Sequence, residues 1–594
     1  MLNRISARMK FFLVGVAAAA AALPAIGQDA PESLLPPGFG DPQPSAPPPQ
    51  TPANAGPAAQ RSSEAPVAAG STDADDAANE EAEEGETVIT FDVPPAGRRS
   101  LSQVGVIPAA AGGFPDDAFG AADGAYLRTV LRLTKGPLVS RWGTILTRRF
   151  LASRTITPVG LGGADWAAER AWLLLRMGDA MVARQLVQQV DADNYSPRLY
   201  EVSMPVFLAN ADLSAMCPLA PKAADQVKDP AWKMARPICS SLAGEQGTAT
   251  SQLSQARNRR WVTGIDYLLS EKAVGAGING RRSVKIEWNN VSGFNAWRFG
   301  LAYATGLEPP SALLAKSGRH VDGWRARLPM IDINRRMEAA PRAAALGVLS
   351  NNAFVGIYAR ALDDPESNED SKALAQQLES AYVGDDDGAK VDAMAAIWDG
   401  ADTRRSLHSG LILTARSAAL IAPSDDYGDD ANRLVASMMT AGLDRNATAW
   451  APFLESGSFG WGILMLGTPR MEGQVSYGQL DDFYDQDQSN DAKKSKLLLA
   501  GLAGLGRVGA EAQRDFAEKI DVSITLRTKW AKAITAAAAR GETGTVVLLS
   551  AVAMQGPGWS KIPAHRLFYI VRSLKQVGLE ADARMIAAEA VTFG

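Results

Sequence analysis

The chain has 594 residues, about four times the length of a usual single domain, so several domains or a stacked repeat are expected rather than one compact core. Its net charge is −5, and 46% of its residues are hydrophobic, which is enough to build a folded body. Only three histidines and two cysteines are present, and this scarcity argues against the commoner kinds of metalloenzyme.

The first 27 residues have the organisation of a secretory signal peptide. Basic residues precede an apolar stretch at 11–22, and the small residues Ala25 and Gly27 lie three and one positions before a cleavage point. An uncleaved membrane anchor is the alternative, but it needs about 20 apolar residues, and this stretch is shorter and ends before Pro24. We therefore expect export, most simply to a bacterial periplasm, and a mature chain without a transmembrane span.

Residues 28–95 are predicted to form a disordered, Pro-rich and acidic linker. Between Pro31 and Pro66, 11 of 36 residues are proline, and the run 73–86 carries eight carboxylates and no base. That run is either a solvated spacer or a contact with a basic partner. Because these segments hold the negative charge, residues 96–594 carry a net +4 and lack the concentrated positive field that nucleic acids require.

After an irregular connection at 96–125, the pattern becomes helical over residues 126–594. Apolar residues three and four positions apart form stripes that are separated by short turns, which predicts helix-turn-helix units. Turns are predicted at Gly178, Asn210 and Gly244, spaced by 32 and 34 residues. Each turn is followed five residues later by a small residue that lets two helices approach closely: Ala183, Ala215 and Ala249.

The starts of the units repeat as well. Ser196-Pro197 and Asp229-Pro230 lie 33 residues apart, and each places a capping side chain before a proline at the first helical position. Pro205 and Pro237, 32 residues apart, fall inside the helices that follow, where an internal proline bends a helix.

The turn Gly178-Asp179-x-x-x-Ala183 resembles the turn between the two helices of a tetratricopeptide repeat, and Gly578-Leu579-Glu580-x-x-Ala583 is similar. The resemblance is clearest over residues 164–260 and 561–594. It implies an all-α fold of stacked helix-turn-helix repeats that form a curved α-solenoid, a surface suited to holding another chain. Pro205 and Pro237 depart from the family pattern and indicate a divergent repeat with a kinked first helix.

The middle of the chain shows helical segments that are separated by Gly, Asp, Asn or Pro turns. They are predicted at 294–304, 341–349, 352–362, 391–398, 431–441 and 496–505. Residues 283–288 form either a short strand or a loop, and the polar stretch 481–491 is predicted to be an exposed loop.

The two cysteines are expected to lie close together. Cys217 is predicted in the second helix of one unit and Cys239 in the first helix of the next, and such helices are neighbours in a stack. Export makes a disulfide chemically accessible, and closing this loop would contribute about 3 kcal/mol. Two buried free thiols are the alternative.

Catalytic and metal-binding patterns are weak. His320, His408 and His565 lie far apart and beside no nucleophile motif, so each is interpreted as a surface or core histidine. The acidic clusters 385–388 and 425–430 do not fit an EF-hand loop and are interpreted as solvated turns. No catalytic residue, metal or cofactor is assigned.

One segment resembles an enzyme signature. Residues 455–459, followed by 462–465, resemble the glutamate-serine signature and Gly-Leu-Met segment of lytic transglycosylases, which implies Glu455 as a general acid that cleaves a glycosidic bond. The downstream segment comes too early, Leu466 replaces the family's glutamine, and no lysozyme-like domain follows.

The sequence therefore favours an exported, non-catalytic helical-repeat scaffold that binds a protein partner in the bacterial cell envelope, where a peptidoglycan-associated partner is one option. The first alternative is a peptidoglycan- or glycan-cleaving envelope enzyme that uses Glu455. The second is a structural accessory of an envelope motor or secretion complex.

Overall fold

The computed structural model describes Pro94 and residues 97–277 and 284–594. The chain divides into two units, 1–90 and 91–594. Apart from Pro94, the predicted signal peptide and linker lie outside the described residues, and the fold below is that of the second unit.

The described residues form 27 α-helices and one antiparallel pair of two-residue strands, β1 (Gln103–Val104) and β2 (Thr155–Ile156). The first nine helices are α1 (Gly124–Leu133), α2 (Arg141–Ala152), α3 (Gly163–Arg176), α4 (Ala180–Val187), α5 (Pro197–Leu208), α6 (Ala220–Gln226), α7 (Pro230–Leu242), α8 (Gln246–Asn258) and α9 (Ile265–Gly277). The next nine are α10 (Ala296–Ala304), α11 (Ser311–Leu314), α12 (His320–Arg327), α13 (Ile333–Ala345), α14 (Asn351–Asp363), α15 (Glu369–Val383), α16 (Asp387–Asp399), α17 (Arg404–Ala418) and α18 (Asp429–Thr440). The last nine are α19 (Asp444–Thr448), α20 (Phe459–Gly467), α21 (Tyr477–Asp485), α22 (Lys493–Leu505), α23 (Ala510–Lys519), α24 (Lys529–Ala539), α25 (Thr543–Ala553), α26 (Ala564–Gln576) and α27 (Glu580–Phe593).

The predicted all-α fold of stacked helix pairs is confirmed. Successive helices pack against each other along the chain, as in the pairs α3–α4, α7–α8, α12–α13, α15–α16 and α26–α27. The predicted caps are in place, because the side chains of Ser196 and Asp229 accept hydrogen bonds from the first turns of α5 and α7. Gly178 and Gly244 have the left-handed backbone expected at their turns, whereas the left-handed residue of the middle turn is Ala211 rather than Asn210.

Three local predictions were wrong. The helix expected to begin at Pro341 is α13, which begins at Ile333 behind an Asp332 cap and contains Pro341 in its interior. The stretch 481–491 is a loop only after Asp485, because α21 extends through its first part. A capping box between Ser476 and Gln479 starts α21 and was the sequence signal for that helix. Residues 283–288 were predicted as either a short strand or a loop, and the described residues 284–288 have no strand, as the loop alternative expects. Cys217 lies between a 3₁₀ turn and α6 rather than inside a helix, because Pro218 follows it.

The predicted disulfide joins Cys217 and Cys239, whose Cα atoms are 5.3 Å apart. It links the turn after α5 to the interior of α7, two parts of adjacent helix pairs. Both cysteines are therefore bonded to each other within the second unit.

Helix α2 connects the beginning of the folded unit to its end. Its first turn lies against the buried carboxylate of Glu589 in α27, which accepts hydrogen bonds from the Ser140 hydroxyl at 2.6 Å and from the backbone N–H groups of Arg141 and Trp142 at 2.6 and 3.0 Å. A carboxylate at a helix N-terminus satisfies N–H groups that have no partner within the helix and interacts favourably with the helix dipole. Burial raises the pKa of Glu589, although these hydrogen bonds oppose the shift.

The side chain of Arg141 extends the same junction to two further helices. Its guanidinium group donates to the carbonyl oxygens of Ala344, in the last turn of α13, and of Leu349, just beyond that helix. It also donates to the carbonyl oxygen of Thr440 at the end of α18. Burial lowers the pKa of Arg141 to about 10, a value at which it is still protonated at neutral pH. Helices α2, α13, α18 and α27 therefore meet at one buried charged junction.

We expect the Glu589→Gln substitution to lower the free energy of unfolding by roughly 2–3 kcal/mol, because an amide has one acceptor oxygen for three donors and carries no charge for the helix dipole. Urea denaturation followed by circular dichroism measures the change. Glu580→Gln, at the partly exposed first position of the same helix, where the carboxylate pairs with Lys575, is the matched control and should change the stability by less than about 1 kcal/mol. Equal effects of the two substitutions would contradict a special role for the Glu589 junction.

The disulfide should be formed in all molecules and should stabilise the folded chain. Denatured, unreduced protein is expected to show no reactive thiol, and reduced protein two. Replacing both cysteines by serine should lower the free energy of unfolding by about 3 kcal/mol, because the bond closes a loop with a sequence separation of 22 residues. Thiol titration and urea denaturation test both statements, and two reactive thiols in the unreduced chain would contradict them.

Candidate functional site

The described part of the chain contains an aromatic groove of about 500 Å³ between the early repeats. We define the aromatic groove by the walls that α3, α5, α10 and α12 contribute, together with the N-terminus of α7. Its principal side chains are Trp172, Trp297, Trp324, Phe294, Val262 and Ala231. Its size is in the range of sites that hold a small ligand or a few side chains of a bound chain.

Two of the three tryptophans of the aromatic groove are held in place by hydrogen bonds between elements. The indole N–H of Trp324 donates to the carbonyl oxygen of Leu175 at 3.3 Å, which joins α12 to α3 across 149 residues of sequence. The indole N–H of Trp297 donates to the carbonyl oxygen of Asp266 at 3.3 Å. Because both polar ring atoms are satisfied within the wall, the rings present apolar surface to the groove.

Charged side chains in and beside the aromatic groove already have partners, either in ion pairs or, for Arg176, in hydrogen bonds to the carbonyl oxygens of Trp172 and Leu131. Arg198 contacts Glu169 and Glu201 and lies over the ring of Trp172, with 6.0 Å between the guanidinium carbon and the ring centroid. Burial would raise the pKa of Glu169, but hydrogen bonds from Arg132 and the charge of Arg198 hold it below its ordinary value. Glu169 is therefore ionised at neutral pH, and the groove has no strong net field.

Pro205 gives the wall of the aromatic groove an additional polar feature. Pro205 lies inside α5 and has no N–H to donate to the carbonyl oxygen of Glu201, four residues earlier. Both residues line the groove. The kink that the sequence predicted in this helix therefore leaves a backbone acceptor at the wall of the groove.

The histidines predicted as non-catalytic lie in three separate places. His320 begins α12 on the wall of the aromatic groove and packs on Trp324, and burial lowers its pKa. His408 is buried in α17, where its ring packs on Phe593 with 4.0 Å between centroids. His565 is half-buried near the start of α26. The structure does not bring them together.

The other candidate residues are also dispersed. Glu455 is exposed in the loop before α20 and lines neither the aromatic groove nor the other cavities described. Of the acidic clusters, 385–388 supplies Asp386 as the cap of α16, and 425–430 spans a 3₁₀ turn and the start of α18. Within residues 97–277 and 284–594, no group of three or more His, Cys, Asp or Glu side chains is arranged to hold a metal ion.

The residues that form the aromatic groove were not selected from the sequence. Trp172 lies four positions before Arg176 on a predicted helix, a spacing that places the two side chains together. The observed distance between the guanidinium carbon of Arg176 and the ring centroid of Trp172 is 5.7 Å. The Trp172–Arg176 pair was the feature of the sequence that could have indicated this wall of the groove. The meeting of Trp172 with Trp297 and Trp324 depends on packing between distant helix pairs and has no sequence signature.

Comparisons of this chain with protein-family models, with curated proteins and with solved structures found no match. Among the described residues, each helix is either too short or too polar to cross a bilayer.

The buried imidazole of His408 predicts a pH-dependent stability. Burial, with a smaller contribution from the charge of Arg141, lowers its pKa to about 3, against an ordinary value near 6.5. Between these two values the unfolded chain binds a proton that the folded chain does not, so stability falls as the pH falls below about 6.5. One such group contributes a slope of roughly 1.4 kcal/mol per pH unit.

We therefore expect His408→Leu to remove this pH dependence. Between about pH 6.5 and 4.5, the free energy of unfolding should fall by roughly 2 kcal/mol more in the unmodified chain than in the variant. Urea denaturation at several pH values measures it. His565→Leu, at a half-exposed site, is the control and should have a smaller effect. Parallel pH profiles for the unmodified chain and His408→Leu would refute the assignment.

Proposed function

We propose that this protein is an exported, non-catalytic helical-repeat scaffold that binds a protein partner in the bacterial cell envelope, and that a segment of the partner occupies the aromatic groove. The observation that carries the proposal is the groove itself, a cavity of about 500 Å³ in which the rings of Trp297 and Trp324 are fixed by hydrogen bonds within the wall. Aromatic side chains held in this way bury large apolar areas on binding with little loss of conformational entropy.

Two further features support a polypeptide ligand. The carbonyl oxygen of Glu201, which Pro205 leaves without its helical donor, is an acceptor for a backbone N–H of the partner. Arg198 and Asp266 of the groove are already ion-paired, and the guanidinium group of Arg176 donates to backbone carbonyl oxygens, so these charges have partners before an apolar segment binds.

The disulfide supports an exported location. Structural disulfides persist in oxidising compartments such as the periplasm and are rare in the cytosol. Together with the signal-peptide pattern of the first 27 residues, the Cys217–Cys239 bond favours the cell envelope.

The enzyme alternative has less support from the geometry. A general acid of the lytic-transglycosylase kind must be partly removed from water so that it is protonated near neutral pH. Glu455 is exposed and lies outside the described cavities. A structural accessory of an envelope motor or secretion complex would use the same groove and differs only in the partner that it holds.

The Val262→Glu substitution should weaken partner binding at least about tenfold, because it places an unpaired carboxylate against apolar surface in the aromatic groove. A photo-crosslinking residue at position 262, used in intact cells, first identifies the partner, and the affinity of the purified pair is then measured by calorimetry. Val159→Glu is the matched control, because Val159 is 78% exposed and lies outside the groove.

The control variant should bind the partner as the unmodified chain does, and all three proteins should have similar melting temperatures. Equal cross-linking from positions 262 and 159, or equal affinities of the two variants, would contradict the groove as the binding site. Cleavage of purified peptidoglycan by the chain, with loss of that activity in Glu455→Gln, would replace the scaffold proposal with the enzyme.

A further inference from the structure

A second cavity, of about 690 Å³, lies at the N-terminus of α17 and shares no lining residue with the aromatic groove. We call it the arginine cavity, because Arg319, Arg342, Arg404 and Arg405 line it. One carboxylate, that of Asp402, lies on the same wall and accepts a hydrogen bond from the Ser406 hydroxyl at 2.9 Å. Positive charge therefore exceeds negative charge around a space large enough for a small-molecule ligand.

Two of the four arginines have no hydrogen-bond or ion-pair partner for the guanidinium group within the described residues. Arg342 is paired in a bidentate manner with Asp322, at 2.7 and 2.9 Å. Arg404 donates to the carbonyl oxygen of Gly594 at 2.8 Å. Arg319 and Arg405 form no ion pair there, and burial followed by the charge of Arg405 lowers the pKa of Arg319. The mutual repulsion of these two cations is relieved when an anion lies between them.

The start of α17 adds partial positive charge to the same wall. The helix is 15 residues long, and Thr403 and Ser406 close its N-terminus with a capping box. The backbone N–H groups of Arg404 and Arg405 have no acceptor among the described residues. Free N–H groups at a helix N-terminus bind oxyanions.

Two buried rings on the wall carry polar atoms that lack a partner in the described part of the chain. Nε2 of His408 and Nε1 of Trp559 make no hydrogen bond, although the two residues are only 8% and 2% exposed. Buried polar atoms without a partner are rare in folded proteins. The aromatic rings of Trp559 and Phe593 also line the cavity and add apolar surface to the charged surface of the arginines.

We propose that the arginine cavity binds an organic phosphomonoester, with its phosphate at the N-terminus of α17 between Arg319 and Arg405 and its apolar part against Trp559. A phosphomonoester is a dianion near neutral pH, which matches the two arginines without a partner. Guanidinium groups and helix N-termini both supply the directed N–H donors that phosphate oxygens accept. This site goes beyond the proposed scaffold function and is independent of it.

The test uses phenyl phosphate as the probe, titrated into the full exported chain by calorimetry. We expect a Kd below about 1 mM, and weaker binding of inorganic phosphate, which has no apolar part. The double variant Arg319→Gln/Arg405→Gln should weaken phenyl phosphate binding at least about tenfold. Arg405→Gln alone, at an exposed position that does not affect folding, should weaken it about threefold.

The matched control is Arg470→Gln/Arg527→Gln, which removes two charges at exposed positions outside the cavity and should leave the affinity unchanged. Absence of binding at about 10 mM phenyl phosphate would overturn the proposal. Equal weakening by the control would show unspecific attraction and also overturn it. Benzoate that binds as tightly as phenyl phosphate would overturn the assignment to a phosphate. None of these results bears on partner binding at Val262.

Discussion

The N-terminus of α2, with the carboxylate of Glu589 bound to it, is the constraint on which the rest of the fold depends. The groups that meet there are 447 to 449 residues apart in sequence. A buried carboxylate is stable only when donors surround it, and a buried N-terminal turn is stable only when acceptors do, so each needs the other. Arg141 extends the requirement to the ends of α13 and α18, whose carbonyl oxygens it satisfies. This junction joins helices that are far apart in sequence, as do the contacts of α1 with α25 and of α20 with α27.

A second buried charge positions the wall of the aromatic groove. Asp179 caps α4 and lies in contact with Arg148 of α2 and Arg327 of α12, at 2.6 and 3.2 Å. Trp324 of α12 reaches Leu175 of α3 close by. Asp179 is fully buried, so a displacement of α2 or α12 would leave its carboxylate without the guanidinium groups that compensate its charge. The groove is therefore preformed, which lowers the entropic cost of binding.

Helix α12 belongs to both candidate sites. Arg319, which precedes its first residue, lines the arginine cavity, whereas His320 and Trp324 line the aromatic groove. The two sites differ in chemistry, since tryptophan rings line the groove, whereas the cavity has two arginines whose guanidinium groups have no partner among the described residues. The protein segment and the phosphomonoester that we propose as ligands would therefore be held by different interactions.

Local features were predictable wherever a short sequence determines them. The caps at Ser196 and Asp229, the left-handed turns at Gly178 and Gly244 and the disulfide all follow from local chemistry and repeat spacing. The start of α13 was missed because a proline that normally opens a helix lies inside this one, at Pro341. The burial of Phe483 in a polar stretch was missed because its partners come from other elements.

The sequence by itself determined that the chain is helical, that its helices come in pairs and that Asp179 closes a turn, because these depend on residues within one or two turns of each other. Only the tertiary structure decided that Asp179 contacts Arg148 and Arg327, that Glu589 lies on α2, and that tryptophans 172, 297 and 324 share a groove. The physical reason is that apolar periodicity specifies which face of a helix is buried but not which distant helix covers it. That choice depends on shape and on the pairing of buried charges across hundreds of residues.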